Sequence, residues 1–216
     1  MKALRYVCVI FVIPVLFASC GNFINKKPER TPPPRTETSG LIFASTPIYT
    51  SPFTNRANQL KSYAMKNGFS RSYCFFVDMS IHSGRKRFFV YDLESNTVVV
   101  SGLVAHGSCG DTFLNEAKFS NVPGCGCTSV GKYKIGERYR GNYGKSYKLY
   151  GLENTNSNAY RRAIVLHGFS CVPDEEIYPK GVCNSLGCAM VSPAFFEKLS
   201  SIIDKSNKPI LLWIYN

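Results

Sequence analysis

What the chain lacks narrows it first. No stretch offers the ~20 consecutive apolar residues that a membrane-crossing helix needs; the one sustained apolar run, Val7 to Phe17, is too short, and no second one follows. No Cys-x2-Cys pair occurs, and Cys125-Gly126-Cys127 has a single intervening residue, so the zinc-knuckle pattern is missing. His106, Cys109, Cys125, Cys127, His167 and Cys171 could in principle supply ligands, but nothing groups them, and no metal or other cofactor is expected. No internal repeat is present. Acidic residues are scarce, 14 against 26 Lys and Arg, which gives a formal charge of +12. The bases are nonetheless scattered (Arg85, Lys86 and Arg87; Arg138 and Arg140; Arg161 and Arg162) and form no arm. A positive balance suits a polyanion such as nucleic acid, anionic lipid or a carboxylate-bearing wall polymer.

The first residues decide among those. Lys2 and Arg5 precede the apolar run, and Phe17-Ala18-Ser19-Cys20-Gly21 closes it with small residues before a cleavage point. That order describes an export signal over 1–19. Cysteine directly after Ala18-Ser19 resembles a bacterial lipobox, in which the cysteine is acylated, although Phe17 stands where Leu is usual. Cys20 is therefore the expected lipidation site, with membrane attachment through that anchor and an exported, periplasm-facing location. Export argues against nucleic acid as a partner. Residues 20–39 read as a tether: Lys26, Lys27, Pro28, Pro32, Pro33 and Pro34 leave little to bury and favour an extended spacer. A helical segment over 40–69 and one domain over 70–216 complete the division.

Nine cysteines are present. Cys8 leaves with the signal and Cys20 carries lipid, so Cys74, Cys109, Cys125, Cys127, Cys171, Cys183 and Cys188 remain in a disulfide-permissive compartment. An odd number leaves at least one thiol unpaired. A Cys171–Cys183 bridge would pin the loop between them, and Cys109 could take Cys125 or Cys127; the pairing stays open at this point.

One stretch carries chemistry. Val165-Leu166-His167-Gly168 reads as a strand, and seventeen residues separate His167 from Ser185-Leu186-Gly187-Cys188-Ala189. A thiol attacks as thiolate, and a nearby imidazole can take its proton and later return it to a leaving amine. The pattern points to cysteine-dependent acyl transfer, with Cys188 as the single reactive thiol. A histidine alone would more often be a satisfied core residue, and His82 reads as an ordinary loop residue. Tyr147 and Tyr150 read as sheet packing.

The remaining periodicity predicts a mostly β domain, a β-rich sandwich or barrel with two or so helices packed outside. Ser51-Pro52 starts a helix that Gly68 ends. Strands are expected at 73–79, 87–93 and 97–105, the last two joined through Glu94-Ser95-Asn96, and at 131–135, 146–152, 163–167 and 208–215. Ser192-Pro193 caps a second helix to about Asp204, with Phe195, Phe196, Leu199, Ile202 and Ile203 inward.

Taken in order, Phe89-Val90-Tyr91-Asp92-Leu93 to Val104-Ala105-His106-Gly107, Ser129-Val130-Gly131-Lys132-Tyr133, Arg162 to Gly168 and Ser185 to Ala189 resemble the L,D-transpeptidase (YkuD-type) catalytic domain, in its murein branch. The resemblance spans roughly 70–216. It implies that Cys188 attacks the carbonyl at the L-centre of diaminopimelate in a tetrapeptide stem of peptidoglycan. D-alanine is expelled, and the thioester passes to an amine or to water. It further implies His167 as general base, the Gly168 carbonyl as its orienter, and the amides of Gly187 and Cys188 as oxyanion donors. Ser185 would act in the site or shape the turn, and His106 would line the groove or support it. Leu186 and Met190 depart from frequent His and Asn or Arg, which leaves one base. Asn184 replaces a frequent arginine, a role that could fall to Arg161, Arg162 or Lys180. Sortase-type enzymes need a downstream arginine, and none occurs between Ala189 and Asn216. Papain-like and NlpC-type peptidases run Cys before His. A non-catalytic, disulfide-stapled wall-binding lipoprotein is the competing class.

Overall fold

Strands whose two faces are both apolar call for cover on both sides, and three such strands set this architecture. In β1 (Tyr73–Asp78), Phe75 and Val77 enter one core while Cys74 and Phe76 enter another. β2 (Phe88–Asp92) divides Phe88 and Val90 from Tyr91 in the same way. The closing strand, Leu211–Tyr215, sends Leu212 and Ile214 one way and Leu211 and Tyr215 the other. Period-2 alternation alone produces this split.

The computed structural model describes residues 53–216, within a unit that spans Pro47–Asn216. The export signal, the tether, Cys20, the first part of the 40–69 segment and Ser51-Pro52 lie outside the described residues. α1 (Thr54–Asn67) starts with Phe53 at its N-cap position, two residues later than Ser51 would place it. It buries Ala57, Leu60 and Ala64, one stripe at helical spacing, against the second core. Gly68 ends it in the left-handed region at φ 73°, its N–H bonded to the Ala64 carbonyl.

After β1 and β2 come β3 (Thr97–Gly102), β4 (Gly131–Gly141), β5 (Gly144–Gly151), β6 (Val165–Gly168) and β7 (Ala189–Val191). α2 (Pro193–Lys205) and β8 (Leu211–Tyr215) finish the chain. The eight strands form one mixed sheet in the order β3-β2-β1-β8-β4-β5-β6-β7. Its ends meet: Val104, just past β3, bridges Val191 of β7, and the Ala105 N–H donates to the Met190 carbonyl at 2.8 Å. This is the mostly β, two-helix fold expected, closed edge to edge. Ser192 caps α2 by accepting the Phe195 N–H at 3.2 Å, with Pro193 at the first helical position. Phe195, Phe196 and Leu199 then fill the first core.

Two elements differ from expectation. β4 runs six residues beyond Ile135 into a long hairpin with β5, its register broken between Ile135 and Arg138. β7 has three residues and no periodic signal, because it is a short, wholly buried run against β6. Leu60 has no exposed surface. Leu60→Ala is expected to destabilise the domain by about 2–5 kcal/mol in denaturant unfolding, the range for a buried leucine truncation.

Candidate active site

Strand pairing puts His167 and Cys188 on one side of the sheet. β6 and β7 run parallel, with Leu166 opposite Ala189 and His167 opposite Met190. Paired residues share a face and faces alternate, so Cys188, one residue before Ala189, falls on the His167 side of the sheet. Both line a cavity of about 440 Å³, together with Tyr143, Phe169 and Met190.

The imidazole is buried and oriented. Its Nδ1 donates to the Gly168 carbonyl at 3.2 Å, which leaves Nε2 with the lone pair. Tyr143, from the β4–β5 turn, stacks on the ring with centroids 4.4 Å apart and planes at 23°. Phe169 meets Tyr143 edge-on at 5.8 Å. Burial holds His167 below the usual imidazole range, and the bond to Gly168 offsets part of that. Burial pushes the Cys188 thiol up, opposed by a hydrogen bond from the Val165 backbone and by the Arg162 charge. The resting pair is thus a neutral imidazole and a neutral thiol.

The turn before Cys188 is tied by Ser185, whose Oγ donates to the Cys188 carbonyl at 2.8 Å and accepts the Gly187 N–H at 3.0 Å. Ser185 thereby ties the turn and also lines the cavity. The Gly187 amide, expected as an oxyanion donor, rests on Ser185 Oγ in this structure. Gly187 has φ 105°, and a Cβ there would lie 2.5 Å from the Cys127 carbonyl oxygen, so only glycine fits.

His106 does not reach the cavity. It is wholly buried, with Nδ1 accepting from Arg87 Nη2 at 2.9 Å and Nε2 donating to the Leu114 carbonyl at 2.9 Å. It buttresses the wall. Arg87, itself buried, also donates to the carbonyls of Val104 and Ile81. Asn184 bonds both backbone groups of Leu114, receiving its N–H at 2.5 Å and donating to its carbonyl at 3.0 Å. Arg162 donates to the Ser120 and Cys127 carbonyls and to Ser129 Oγ; like Arg161 and Lys180 it is not among the lining residues.

The disulfides are Cys109–Cys127 and Cys171–Cys183. Among the described residues Cys74, Cys125 and Cys188 are free, two more than the odd count requires. Cys109 can bridge only one residue of the Cys125-Gly126-Cys127 segment, and Cys74 is buried under α1. Burial drives the Cys74 thiol far up. At Cys125 burial is outweighed by hydrogen bonds with Cys127 and Ser120 and by the Arg162 charge, which hold that thiol below its ordinary value. Sequence reasoning passed over Tyr143, because a turn residue carries no periodicity; its place between two glycines of a long hairpin is the only clue.

The buried His167 and the half-buried Cys188 thus line one cavity, with Tyr143 stacked on the imidazole. The model of the L,D-transpeptidase catalytic domain matches residues 45–215, and the chain belongs to that family. The family's substrates are peptidoglycan stem peptides. No curated protein matches the chain. Among solved structures it is similar to an L,D-transpeptidase from Xylanimonas cellulosilytica, at 14% identity and TM-score 0.40, covering 72% of this chain and 69% of that one. It is also similar to the helical cell shape determining protein Pgp2 of Campylobacter jejuni, at 11% identity and TM-score 0.43, covering 67% of this chain and 48% of that one. An L,D-transpeptidase from Mycobacterium tuberculosis shares 11% identity and TM-score 0.37, covering 67% and 58%. The chain spans about half the length of the Campylobacter protein.

Burial and the Arg87 charge hold His106 down at about 4, despite the bond to Leu114. The unfolded chain therefore binds a proton between pH 6.5 and about 4 that the folded one refuses, so stability falls with acidification through that window. Denaturant unfolding is expected to show a loss on the order of 2–3 kcal/mol between pH 7 and 4.5 from this group. His106→Gln should flatten the slope there.

Proposed function

We propose that this domain is a peptidoglycan L,D-transpeptidase with Cys188 as nucleophile and His167 as its only base. The observation that carries the reading is the placement of both residues on one face of the β6–β7 pair, lining one cavity. In the proposed cycle Sγ of Cys188 attacks the carbonyl at the L-centre of diaminopimelate in a tetrapeptide stem while Nε2 of His167 takes the thiol proton. The tetrahedral oxyanion leans on the Cys188 amide. Collapse breaks the C–N bond, and the imidazolium returns its proton to the departing D-alanine amine. The thioester then acylates an acceptor amine, which yields a cross-link, or water, which yields a trimmed stem.

Neutral resting partners favour proton transfer concerted with attack over a preformed ion pair. Gly168 fixes the tautomer that aims Nε2, and Tyr143 shields the ring face. In this reading the protein is exported, held to the membrane by acylated Cys20, and working on the wall through a Pro-rich tether.

Intact-mass analysis after incubation with a tetrapeptide stem is expected to show an acyl adduct and released D-alanine, both lost in Cys188→Ala. No adduct and no release from any stem tested would sink the reading in favour of a non-catalytic wall-binding domain. Iodoacetamide should alkylate Cys188 slowly at neutral pH and faster as pH rises past the ordinary thiol range, because burial keeps the proton on sulfur. Tyr143→Ala should lower kcat roughly 10-fold or more by freeing the imidazole, whereas Tyr143→Phe keeps the ring and most of the rate.

A further inference from the structure

The charge inventory of the catalytic cavity is unusual for a protein with almost twice as many bases as acids. Among the residues that line it there is no lysine and no arginine, and the single charged side chain is Asp111. Its other polar lining comes from neutral groups: Ser108, Thr112, Tyr143 and Asn184, beside the catalytic pair and Ser185.

Asp111 is held there by the nucleophile's own surroundings. Its loop is anchored at one end by the Ser108 N–H on the Ser185 carbonyl at 2.8 Å and by the Cys109–Cys127 disulfide. At the other end Asn184 clasps both backbone groups of Leu114. The Asp111 N–H closes the intervening turn on the Ser108 carbonyl at 3.0 Å. Residues 184 and 185, which lead into the Cys188 turn, thus fix where this carboxylate stands. Its one partner is Lys118 at 3.4 Å, an exposed pair, and such pairs contribute little and exchange readily. Arg162, whose charge acts on Cys188, donates to the Ser120 and Cys127 carbonyls and to Ser129 Oγ.

The side-chain end of diaminopimelate carries an ammonium and a carboxylate on one carbon. A cavity with one carboxylate and no cation rewards the first and repels the second. We propose that Asp111 is a specificity-determining residue that binds the donor's side-chain ammonium, and that the enzyme prefers donor stems whose side-chain carboxylate is amidated. The neutral hydroxyl and amide groups then serve as partners for the carboxamide. This inference rests on the transpeptidase reading and extends it to the substrate.

The test compares acylation of Cys188 in the full catalytic domain by three synthetic tetrapeptide stems: side-chain carboxylate free, amidated, or amidated with the ammonium acetylated. The amidated stem is expected to give a kcat/KM at least about tenfold above the free acid, a change equal to 1.4 kcal/mol. Acetylation should remove that gain. Asp111→Asn should bring the amidated stem down toward the free acid, mainly through KM, and Asp111→Glu should restore most of the preference; a loop damaged merely as structure would slow all three stems alike. Equal or better use of the free acid by the wild type would overturn the proposal while leaving the transpeptidase reading intact. Failure of every stem to acylate Cys188 would instead strike that reading.

Discussion

Everything functional here depends on one short parallel pairing, β6 against β7. Three residues of β7 decide the face on which Cys188 emerges, and a slip of one residue would turn the thiol toward the core and Ala189 toward the cavity. The register is held from both sides. Leu166 and Ala189 are locked in the apolar core, and Val104 and Ala105 pair with the outer edge of β7. Ser185 and Gly187 then bend the chain into β7 so that the sulfur arrives at the strand's start. The placement of Cys188 beside the His167 face is a by-product of sheet register more than of loop shape.

Around that pairing lies a supporting shell of hydrogen bonds. Arg87, His106, Leu114 and Asn184 form a buried chain of hydrogen bonds from β2 to the nucleophile turn, with the histidine kept neutral by burial and by the adjacent guanidinium. A buried arginine that donates to backbone carbonyls gives those carbonyls partners that water cannot supply. The cost of desolvating it is met by several acceptors at once, which makes the wall rigid. The Cys171–Cys183 disulfide lines the cavity, and Cys109–Cys127 ties the loop that brings Asp111 to it.

Sequence legibility followed signal length. Helices α1 and α2, the β2–β3 hairpin and β8 were legible because capping residues and alternation run over many residues. The His167–Cys188 constellation was legible because its residue types are rare in that combination. What escaped had no local signature. β7 is three residues long; β4 extends through a register break that interrupts its alternation; and Tyr143 matters only because a hairpin folds it over a histidine distant in sequence. His106 could be placed on a strand end but not assigned to a wall, since its partners Arg87, Leu114 and Asn184 come from elsewhere in the chain. The cysteine count required an unpaired thiol but not three, because the Cys125-Gly126-Cys127 segment offered Cys109 two partners.

The bridge between Val104 and Val191 has a consequence for how the molecule comes into being. It joins positions 87 residues apart, and contacts of such long range form late, after loop-closure entropy has been overcome by more local pairing. The β1–β3 meander and the β4–β5 hairpin can assemble from neighbouring chain, whereas the nucleophile's strand must wait for both. During folding the Cys188 sulfur therefore acquires its final surroundings only when the whole sheet has closed. On the proposed function, the fold itself would keep the site silent until synthesis and folding are complete.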